Sequence, residues 1–276
     1  MKPAPFTYHR PDTVDEAVRL LSDTSISVRP LAGGQSLVPM LNLRLAPVDR
    51  IIDITRLADL RRTRDDGASI RYGALTTHAA FEDGEVPDAA NGLMAYVAAR
   101  IAFRAVRTRG TIGGALALAD PAADWLTTVV ALEGILHLVG SNGRRALAAE
   151  EFVIGPYLTA LQEGEILEAI EIRKRPASER WGHYKVTTKV GEYAESMAIA
   201  ILDRNRGTAR IVLGAADGAP ITFAETAVRV LQMDSPDRLR ATIEQELIAA
   251  EREFSPAKLS MHTTVILRAI QDAASK

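Results

Sequence analysis

VRPLAGGQS, residues 28–36, carries a short apolar run directly into the consecutive glycines Gly33 and Gly34. Glycine lacks side-chain bulk and adopts backbone angles that other residues avoid. In such a turn several backbone N–H groups can face one concavity and bind a phosphate oxygen. The stretch therefore predicts a strand that ends in a loop suited to a diphosphate.

A second glycine pair, Gly113-Gly114, follows Thr111, and we predict another glycine turn there between ordered elements. Neither pair has the G-x-G-x-x-G spacing of a Rossmann fingerprint. A single glycine pair more often forms an ordinary turn between elements than a ligand site. Hydrogen bonds to a charged group contribute roughly 1.5–3 kcal/mol each, so N–H groups and the hydroxyls of Ser36 and Thr111 suffice in principle for a dinucleotide.

The residues before the first glycine pair predict a helix and a strand. Thr13 and Glu16 have the spacing of a capping box, and apolar residues then recur at helical intervals through Leu21. Residues 28–32 and 50–54 are short apolar runs that predict buried strands. The chain is thus expected to open as helix, strand, glycine loop, strand.

Turn signals predict antiparallel pairing in the middle of the chain. Residues 64–67 and 141–143 each contain a glycine and separate two strand-like runs, as in β-hairpins. Residues 89–102 are a helix candidate. Another helix is expected to start at Asp120-Pro121, with Asp120 as its cap and Pro121 in its first position.

A polar segment at residues 173–178 contains a proline, which disfavours helix before it, so we place a domain boundary there. We predict a first domain at 1–176, with subdomains of about 1–57 and 58–176, and a second domain at 177–276. The second domain is expected to hold three strands and three closing helices. The predicted strands are residues 181–189, 196–202 and 208–216.

Composition excludes several classes of function. The 33 Lys and Arg residues are balanced by 35 Asp and Glu, giving a formal charge of -2, so a nucleic-acid partner is not expected. No apolar run approaches the roughly 20 residues of a membrane helix, and we expect a cytoplasmic protein without a membrane span. The chain has no cysteine, which excludes iron–sulfur clusters ligated by this chain. None of its five histidines has the spacing of a metal site. Redox chemistry would need a bound organic cofactor.

Four motifs occur in one order: AGGQSL at 32–37, RGTIGG at 109–114, DPAAD at 120–124 and KVGEYA at 189–194. With them the chain resembles, nearly end to end, the flavoprotein subunits of carbon monoxide dehydrogenase and its xanthine dehydrogenase relatives. The resemblance implies an α+β fold. It consists of a two-part FAD-binding domain of the vanillyl-alcohol-oxidase type and a small C-terminal domain with a three-stranded antiparallel sheet and helices.

The resemblance also implies which residues bind FAD. Both glycine segments would wrap the diphosphate, while Asp124 would contact the adenosine side and Ile101 and Leu167 would be apolar neighbours. Lys189 would lie near the flavin and Tyr193 against one face of its ring, where an aromatic can stack. Without the resemblance, the sequence favours a structural role for Tyr193, as a strand residue packed beside the Gly191 turn. No catalytic or metal-binding residue is implied. The full cofactor-binding set is Leu31, Ala32, Gly33, Gly34, Gln35, Ser36, Leu37, Ile101, Thr111, Ile112, Gly113, Gly114, Ala115, Asp120, Asp124, Leu167, Lys189 and Tyr193.

The sequence departs from the family at three places. Gln35 stands where relatives often carry His or Asn, so a histidyl-flavin bond is unavailable there and FAD should be noncovalent. Ala115 replaces a usual Asn, which predicts weaker FAD affinity. Residues 102–104 differ from a usual glycine-containing segment.

The implied function is electron transfer within a heteromeric molybdenum hydroxylase. A small subunit would carry 2Fe–2S clusters and a large subunit the molybdenum cofactor, in a dimer of heterotrimers that reduces NAD, oxygen or a quinone. One alternative is a stand-alone FAD oxidase or reductase, for which His78, His183 and Tyr184 are the candidate proton-handling residues. Another is a non-catalytic nucleotide-binding or assembly module.

Overall fold

A three-stranded parallel sheet opens the computed structural model, which describes residues 2–276. Its strand order is β1-β3-β2. The carboxyl ends of all three strands meet at one edge, so the residues after β2 and β3 lie side by side there. The elements of this part are β1 (Thr7–His9), α1 (Val14–Leu21), β2 (Val28–Leu31), α2 (Leu37–Asn42) and β3 (Arg50–Asp53).

The first predicted helix is confirmed. Thr13 is its N-cap, and its side chain accepts a hydrogen bond from the N–H of Glu16 at 3.1 Å. The Glu16 carboxylate reaches back to the N–H of Asp12, one residue before the position that a capping box predicts. Both strands of the predicted opening are also present. Helix α2 was not predicted, because the sequence analysis identified only an apolar pattern after the first glycine loop.

A five-stranded antiparallel sheet in the order β4-β5-β10-β6-β7 forms the middle of the molecule. Both predicted hairpins are confirmed, with Gly67 and Gly143 in positive-φ conformations at their turns. A 3-10 helix at Ala58–Arg61 precedes the sheet, and a small hairpin, β8 with β9, lies beside it. The remaining elements are β4 (Arg64–Asp65), β5 (Ser69–Gly73), α3 (His78–Glu82), α4 (Leu93–Ala98), α5 (Arg104–Arg107), α6 (Ile112–Leu118), α7 (Asp124–Ala131), β6 (Ile135–Gly140), β7 (Gly143–Ala148), α8 (Ala149–Phe152), β8 (Val153–Gly155), β9 (Leu158–Thr159) and β10 (Ile166–Arg173).

Three local predictions in this middle part are wrong. The helix predicted at 89–102 is reduced to α4, because Asn91 and Gly92 have φ of 53° and 88° and cannot continue a right-handed helix. The helix predicted from Asp120 begins at Asp124 instead. The second glycine pair does not form a loop between elements, because Gly113 and Gly114 are helical residues near the start of α6.

The last part of the chain forms a four-stranded antiparallel sheet in the order β11-β12-β13-β14. The three predicted strands and three predicted helices are confirmed, and the two-residue strand β14 adds a fourth strand that the sequence analysis missed. The elements are β11 (Arg180–Val186), β12 (Ser196–Asp203), β13 (Thr208–Gly214), β14 (Ile221–Thr222), α9 (Ala224–Leu231), α10 (Pro236–Ala249) and α11 (Pro256–Ala274).

Strand β12 is buried on both faces, which joins the last sheet to the middle of the molecule. Ile199 and Ile201 belong to the same apolar cluster as Trp125 of α7. The alternate residues Ala198 and Ala200 pack with the C-terminal helices instead, as the two-residue period of a strand requires. Residues 174–179 connect β10 to β11 and so join the two sheets, while the domain limits stay a prediction. No helix among residues 2–276 is long and apolar enough to cross a membrane.

Candidate functional site

The first glycine loop touches the start of the second glycine segment. A Cβ atom built on Gly33 would lie 2.0 Å from the carbonyl oxygen of Arg109, a distance that no real side chain shows. Gly34 has a φ of +73°, which is the left-handed region that favours glycine. The two glycines therefore serve different needs, close backbone approach at Gly33 and an unusual backbone angle at Gly34.

Five consecutive backbone N–H groups in this loop have no acceptor within the part of the chain that the structure describes. They belong to Gly33, Gly34, Gln35, Ser36 and Leu37, all of which are only half-buried. The carbonyls of Gly34 and Ser36, by contrast, accept hydrogen bonds from α2. Half-buried N–H groups of this kind can bond to water or to an external acceptor, and an anion is the strongest acceptor. The loop thus fits the diphosphate that its sequence predicted.

The second glycine segment does not offer such groups. Ile112 donates to the carbonyl of Thr76 at 3.0 Å, and Gly113 donates to that of Ala74 at 2.9 Å. Gly114 donates to the Thr111 hydroxyl at 3.1 Å, and Ala115 donates to the Thr111 carbonyl at 3.0 Å. These N–H groups already have partners within the chain, and a contact of this segment with the diphosphate stays a prediction.

Close packing explains the second glycine pair. A Cβ atom on Gly113 would lie 2.4 Å from the Cβ of Ala74, so only glycine lets α6 dock on the end of β5. Thr111 caps α6 and is buried. The segment therefore forms a wall beside the first loop, and any contact with a cofactor through its side chains stays a prediction.

A cavity of about 260 Å³ lies where the two segments meet. Arg61 and Arg109 contribute positive charge. Four threonines also line the cavity, and each of their hydroxyls makes a hydrogen bond within the chain. The volume lies below the range that holds whole drug-sized ligands, so the cavity suits one part of a dinucleotide. The lining residues are Ala32, Gly33, Thr55, Arg61, Leu75, Thr77, Thr108, Arg109 and Thr111. The sequence analysis left Arg109 out because exposed arginines are common, although its place just before the second glycine segment was a usable signal.

Asp124 and Lys185 form a buried ion pair. The Lys185 ammonium donates to both carboxylate oxygens of Asp124, at 2.8 and 2.9 Å, and the two side chains are 8% and 5% exposed. Burial raises the pKa of Asp124, and the charge of Lys185 opposes that rise. The predicted adenosine contact of Asp124 would therefore be shared with Lys185.

Lys185 is the lysine that the fold brings to Asp124, and the position of Lys189 near the flavin stays a prediction. Lys185 lies on β11, whereas Lys189 is exposed in the connection between β11 and β12, and its ammonium group makes no hydrogen bond or ion pair among residues 2–276. The four-residue difference places the two side chains in different surroundings. The sequence signal that was missed is strand alternation, which puts Lys185 on the inward face of β11.

Tyr193 lies in the same connection and is 59% exposed, so it is not the strand residue of the alternative interpretation. Desolvation, followed by the nearby Asp120, Tyr157 and Asp124, raises the pKa of Tyr193. The side chain is thus largely exposed and lies near acidic groups. The neighbouring Gly191 packs on Phe103, since a Cβ there would lie 2.8 Å from the Phe103 ring.

The other predicted cofactor contacts, Leu167, Ile101 and Asp120, have contacts within the chain. Leu167 is buried in the middle core, and Ile101 is half-buried against it, so both have structural reasons to be apolar. Asp120 is not a helix cap. Its carboxylate accepts from the N–H of Ala122 at 3.0 Å and from the hydroxyl of Tyr157 at 3.1 Å. Cofactor contacts by these residues stay predictions.

A second, larger cavity of about 610 Å³ lies beside Asp120. It is bounded by the residues before α7, by those at the ends of β12 and β13, and by the first turns of α11. The lining residues are Asp120, Pro121, Ala122, Tyr157, Ala194, Glu195, Ala215, Asp217, Ser255, Ala257, Lys258 and Met261.

The histidines proposed for a stand-alone oxidase line neither cavity. His78 is buried, and its Nδ1 accepts from the indole N–H of Trp125 at 2.9 Å. His183 is buried against Tyr96, and burial lowers its pKa to about 4. The hydroxyl of Tyr184 is bonded to Arg268. Among residues 2–276 no group of three or more acidic or histidine side chains is arranged to hold a metal ion.

Comparisons with known proteins agree with this geometry. Residues 4–174 match the family described as the FAD binding domain in molybdopterin dehydrogenase. The carbon monoxide dehydrogenase medium chain of Afipia carboxidovorans is 33% identical over 100% of this chain and 99% of its own length. The nicotine 6-hydroxylase medium subunit of Paenarthrobacter nicotinovorans is 32% identical, over 88% of this chain and 87% of the relative.

Solved structures of the same kind superpose on the whole chain. Carbon monoxide dehydrogenase from Hydrogenophaga pseudoflava matches with a TM-score of 0.92 and 31% identity, covering 100% of this chain and 99% of the other. Quinoline 2-oxidoreductase from Pseudomonas putida 86 matches with a TM-score of 0.88 and 29% identity over the same shares. The order of sheets and helices described above is therefore shared with these proteins.

Proposed function

Because this chain belongs to the family of FAD-binding domains in molybdopterin dehydrogenases, we propose that it is the electron-transfer subunit of a heteromeric molybdenum hydroxylase. The relatives named above are medium chains or subunits of such oxidoreductases, and the match covers 87–99% of their length. In this role the chain relays electrons, and a partner subunit oxidises the organic substrate.

The free N–H groups of Gly33 to Leu37 carry the proposal, because they fit the diphosphate of FAD. FAD supplies the chemistry that protein side chains lack, accepting electrons singly and releasing them in pairs. Arg61 and Arg109 add positive charge at the adjoining cavity. Since Gln35 stands where relatives often carry His or Asn, no histidyl-flavin bond can form there and FAD is held noncovalently.

Two further groups complete the proposed binding site. The buried Asp124–Lys185 pair presents fixed charges of both signs beside α7, and Tyr193 is accessible for stacking on the flavin. None of these side chains needs to act as a nucleophile, acid or base. Their work is to bind and orient the cofactor and to restrict water around it.

The partner subunits would supply the remaining redox centres. A chain without cysteine cannot ligate an iron–sulfur cluster, so the 2Fe–2S clusters belong to a small subunit and the molybdenum cofactor to a large one. We further propose a dimer of heterotrimers that passes electrons to an external acceptor. Co-purification from the native host, with metal analysis, tests both statements. Recovery without an iron–sulfur or molybdenum partner would refute them.

The variant Gly33→Ala tests the cofactor site directly. The added methyl group clashes with the Arg109 carbonyl and closes the loop, so we expect FAD affinity to fall by about tenfold or more, or about 1.4 kcal/mol. Gly155→Ala is the matched control, because a Cβ there meets nothing within 4 Å. Affinity is measured by quenching of flavin fluorescence during titration.

Three results would favour another function. Equal affinity of the two variants would place FAD elsewhere. A chain that never acquires FAD would support the assembly module, and bleaching of the flavin by an organic substrate added to the isolated chain would support the stand-alone oxidase.

A further inference from the structure

A buried carboxylate lies at the edge of the first sheet where the glycine loop begins. Asp53 is the last residue of β3, the central strand, and it is 3% exposed. It pairs with Leu31, the last residue of β2 before the loop. The next residue, Ile54, donates its N–H to the Leu31 carbonyl at 3.1 Å. Asp53 therefore connects the start of the glycine loop with the residues that follow β3.

The Asp53 carboxylate accepts hydrogen bonds from three residues. One of its oxygens accepts from the N–H and the hydroxyl of Thr55, at 2.9 and 2.6 Å. The other accepts from the Tyr8 hydroxyl and, at 2.9 Å, from the Nε of Arg10. Arg10 also donates to the Tyr8 hydroxyl at 2.7 Å. The carboxylate thus holds the residues after β3 against the end of β1.

These donors keep Asp53 ionised although it is buried. Burial by itself raises the pKa of this carboxyl, but hydrogen bonds from Thr55, Tyr8 and Arg10 lower it to about 2. Hydrogen bonds to an ionised acceptor are shorter and stronger than those between neutral groups. Thr55 is therefore fixed through both its N–H and its hydroxyl at neutral pH.

Thr55 in turn holds the side chain of Arg61. The Thr55 carbonyl accepts from the Nε of Arg61 at 2.8 Å, and this guanidinium makes no other hydrogen bond or ion pair among residues 2–276. Because only Nε is used, its two terminal NH2 groups are available to an external acceptor. Thr55 and Arg61 both line the cavity that Gly33 also lines. The available donors of Arg61 thus share one cavity with the glycine loop.

We propose that Arg61 is a ligand of the cofactor diphosphate and that Asp53 is the positioning residue that holds it there through Thr55. This inference rests on the proposed function, because it assumes that FAD binds at the glycine loop. A guanidinium held at Nε presents its two NH2 groups to a phosphate as a planar fork. Since the side chain is already held, it loses less conformational freedom when the phosphate binds. The loop N–H groups and Arg61 then bind the diphosphate together.

Neutral variants of two neighbouring arginines test the ligand. Arg61→Gln removes the charge in the cavity, and Arg62→Gln removes the same charge from an exposed side chain that lines neither cavity. Fluorescence quenching of FAD, titrated into the full-length chain freed of FAD, should show affinity lower by about fivefold or more for Arg61→Gln and changed by less than about twofold for Arg62→Gln. Equal affinities of the two variants would overturn the proposal. An unaltered chain that binds no FAD would instead refute the proposed function, so the two failures can be told apart.

Riboflavin separates a phosphate contact from a general effect on the site, because it carries the flavin ring without the diphosphate. Arg61→Gln should change riboflavin affinity by less than about twofold, and its FAD affinity should fall less steeply with salt than that of the unaltered chain, because one cation fewer is screened. An equal loss of affinity for riboflavin and FAD, or an unchanged salt dependence, would show that Arg61 does not contact the phosphates.

Double variants test the positioning role of Asp53. Asp53→Asn keeps the size of the side chain but removes the charge that binds Arg10, and it should lower FAD affinity by about threefold or more. Combined with Arg61→Gln it should cause little further loss, because the effects of residues that act through one contact are not additive. Additive losses would refute the positioning role. Tyr8→Phe removes one donor to Asp53 and provides the same comparison if Asp53→Asn does not fold.

Discussion

The Asp124–Lys185 pair is the most deeply buried ion pair described for this molecule, and its two members depend on each other. A carboxylate 5% exposed has lost most of its hydration, and only the ammonium group at 2.8 Å compensates for that loss. Removing one partner leaves an unpaired charge in the interior. Replacing both with uncharged side chains of similar volume leaves no unpaired charge in the interior.

We therefore predict that Lys185→Met lowers the free energy of unfolding by about 3–5 kcal/mol. Lys189→Met, at the exposed lysine four residues later, should change it by less than about 0.5 kcal/mol. The double variant Asp124→Asn, Lys185→Met should recover much of the loss. Urea unfolding of the three proteins at pH 7 provides the measurement, and equal stability of both single variants would contradict the buried pair.

The same pair predicts a pH dependence. Burial raises the pKa of Asp124 above its value in the unfolded chain, so the folded state binds this proton more tightly. That contribution stabilises the fold at low pH and is lost as the pH rises through the raised pKa. Without Lys185 nothing opposes the effect of burial, so Lys185→Met should be less destabilised at pH 5 than at pH 8. A deficit that grows on acidification would show that Asp124 is not buried as described.

At this residue scale the sequence identified Gly33, Gly34 and Asp124 but not their partners. Glycine loops and a family motif are visible in the chain order itself. The contact of Gly33 with Arg109 and that of Asp124 with Lys185 depend on how distant segments pack, over 76 and 61 positions respectively. The sequence analysis placed Lys189 near the flavin from a local motif and named no partner for Asp124, so Lys185 was not identified.

Helix α6 shows why glycine can occur in a helix. Its interior glycines have low helix propensity, and from sequence they indicated a turn. In the fold, Gly113 lies against Ala74, and the Thr111 hydroxyl caps the helix N-terminus. Tertiary packing thus decided the element against its propensity. The later start of α7 accompanies a local contact, in which the Asp120 carboxylate accepts a hydrogen bond from the N–H of Ala122.

We predict that Gly113→Ala destabilises the protein by about 1–3 kcal/mol, although alanine favours helix, because its methyl group overpacks the contact with Ala74. Gly155→Ala again is the neutral comparison. Thermal unfolding monitored by circular dichroism gives the ranking. An increase in stability for Gly113→Ala would mean that α6 does not dock closely on the end of β5.

On the scale of the whole molecule, β12 holds two cores together. Its sequence SMAIAILD is apolar at nearly every position, which predicts a strand covered on both sides but not what covers it. The structure places α7 on one face and the C-terminal helices on the other. The fold class and the order of elements could be predicted from sequence, whereas this double coverage required the three-dimensional packing.

Shared packing predicts cooperative unfolding. Ile199→Ala should cost about 2–5 kcal/mol, and tryptophan fluorescence and circular dichroism should still report one transition, because Trp125 lies in the same cluster as Ile199. Ile248→Ala, an identical change at a side chain 68% exposed, should have little effect. Two separate transitions in Ile199→Ala would show that the last sheet unfolds independently of the middle core.

The connection that carries Tyr193 is anchored at both ends. Val186 pairs with Ser196 at the last position of a seven-residue antiparallel register, and Glu195 donates its N–H to the Val186 carbonyl. Because residues 187–194 take no part in the pairing of β11 with β12, a change in the position of Tyr193 would leave the sheet intact, but it would have to break the contact of Gly191 with the Phe103 ring.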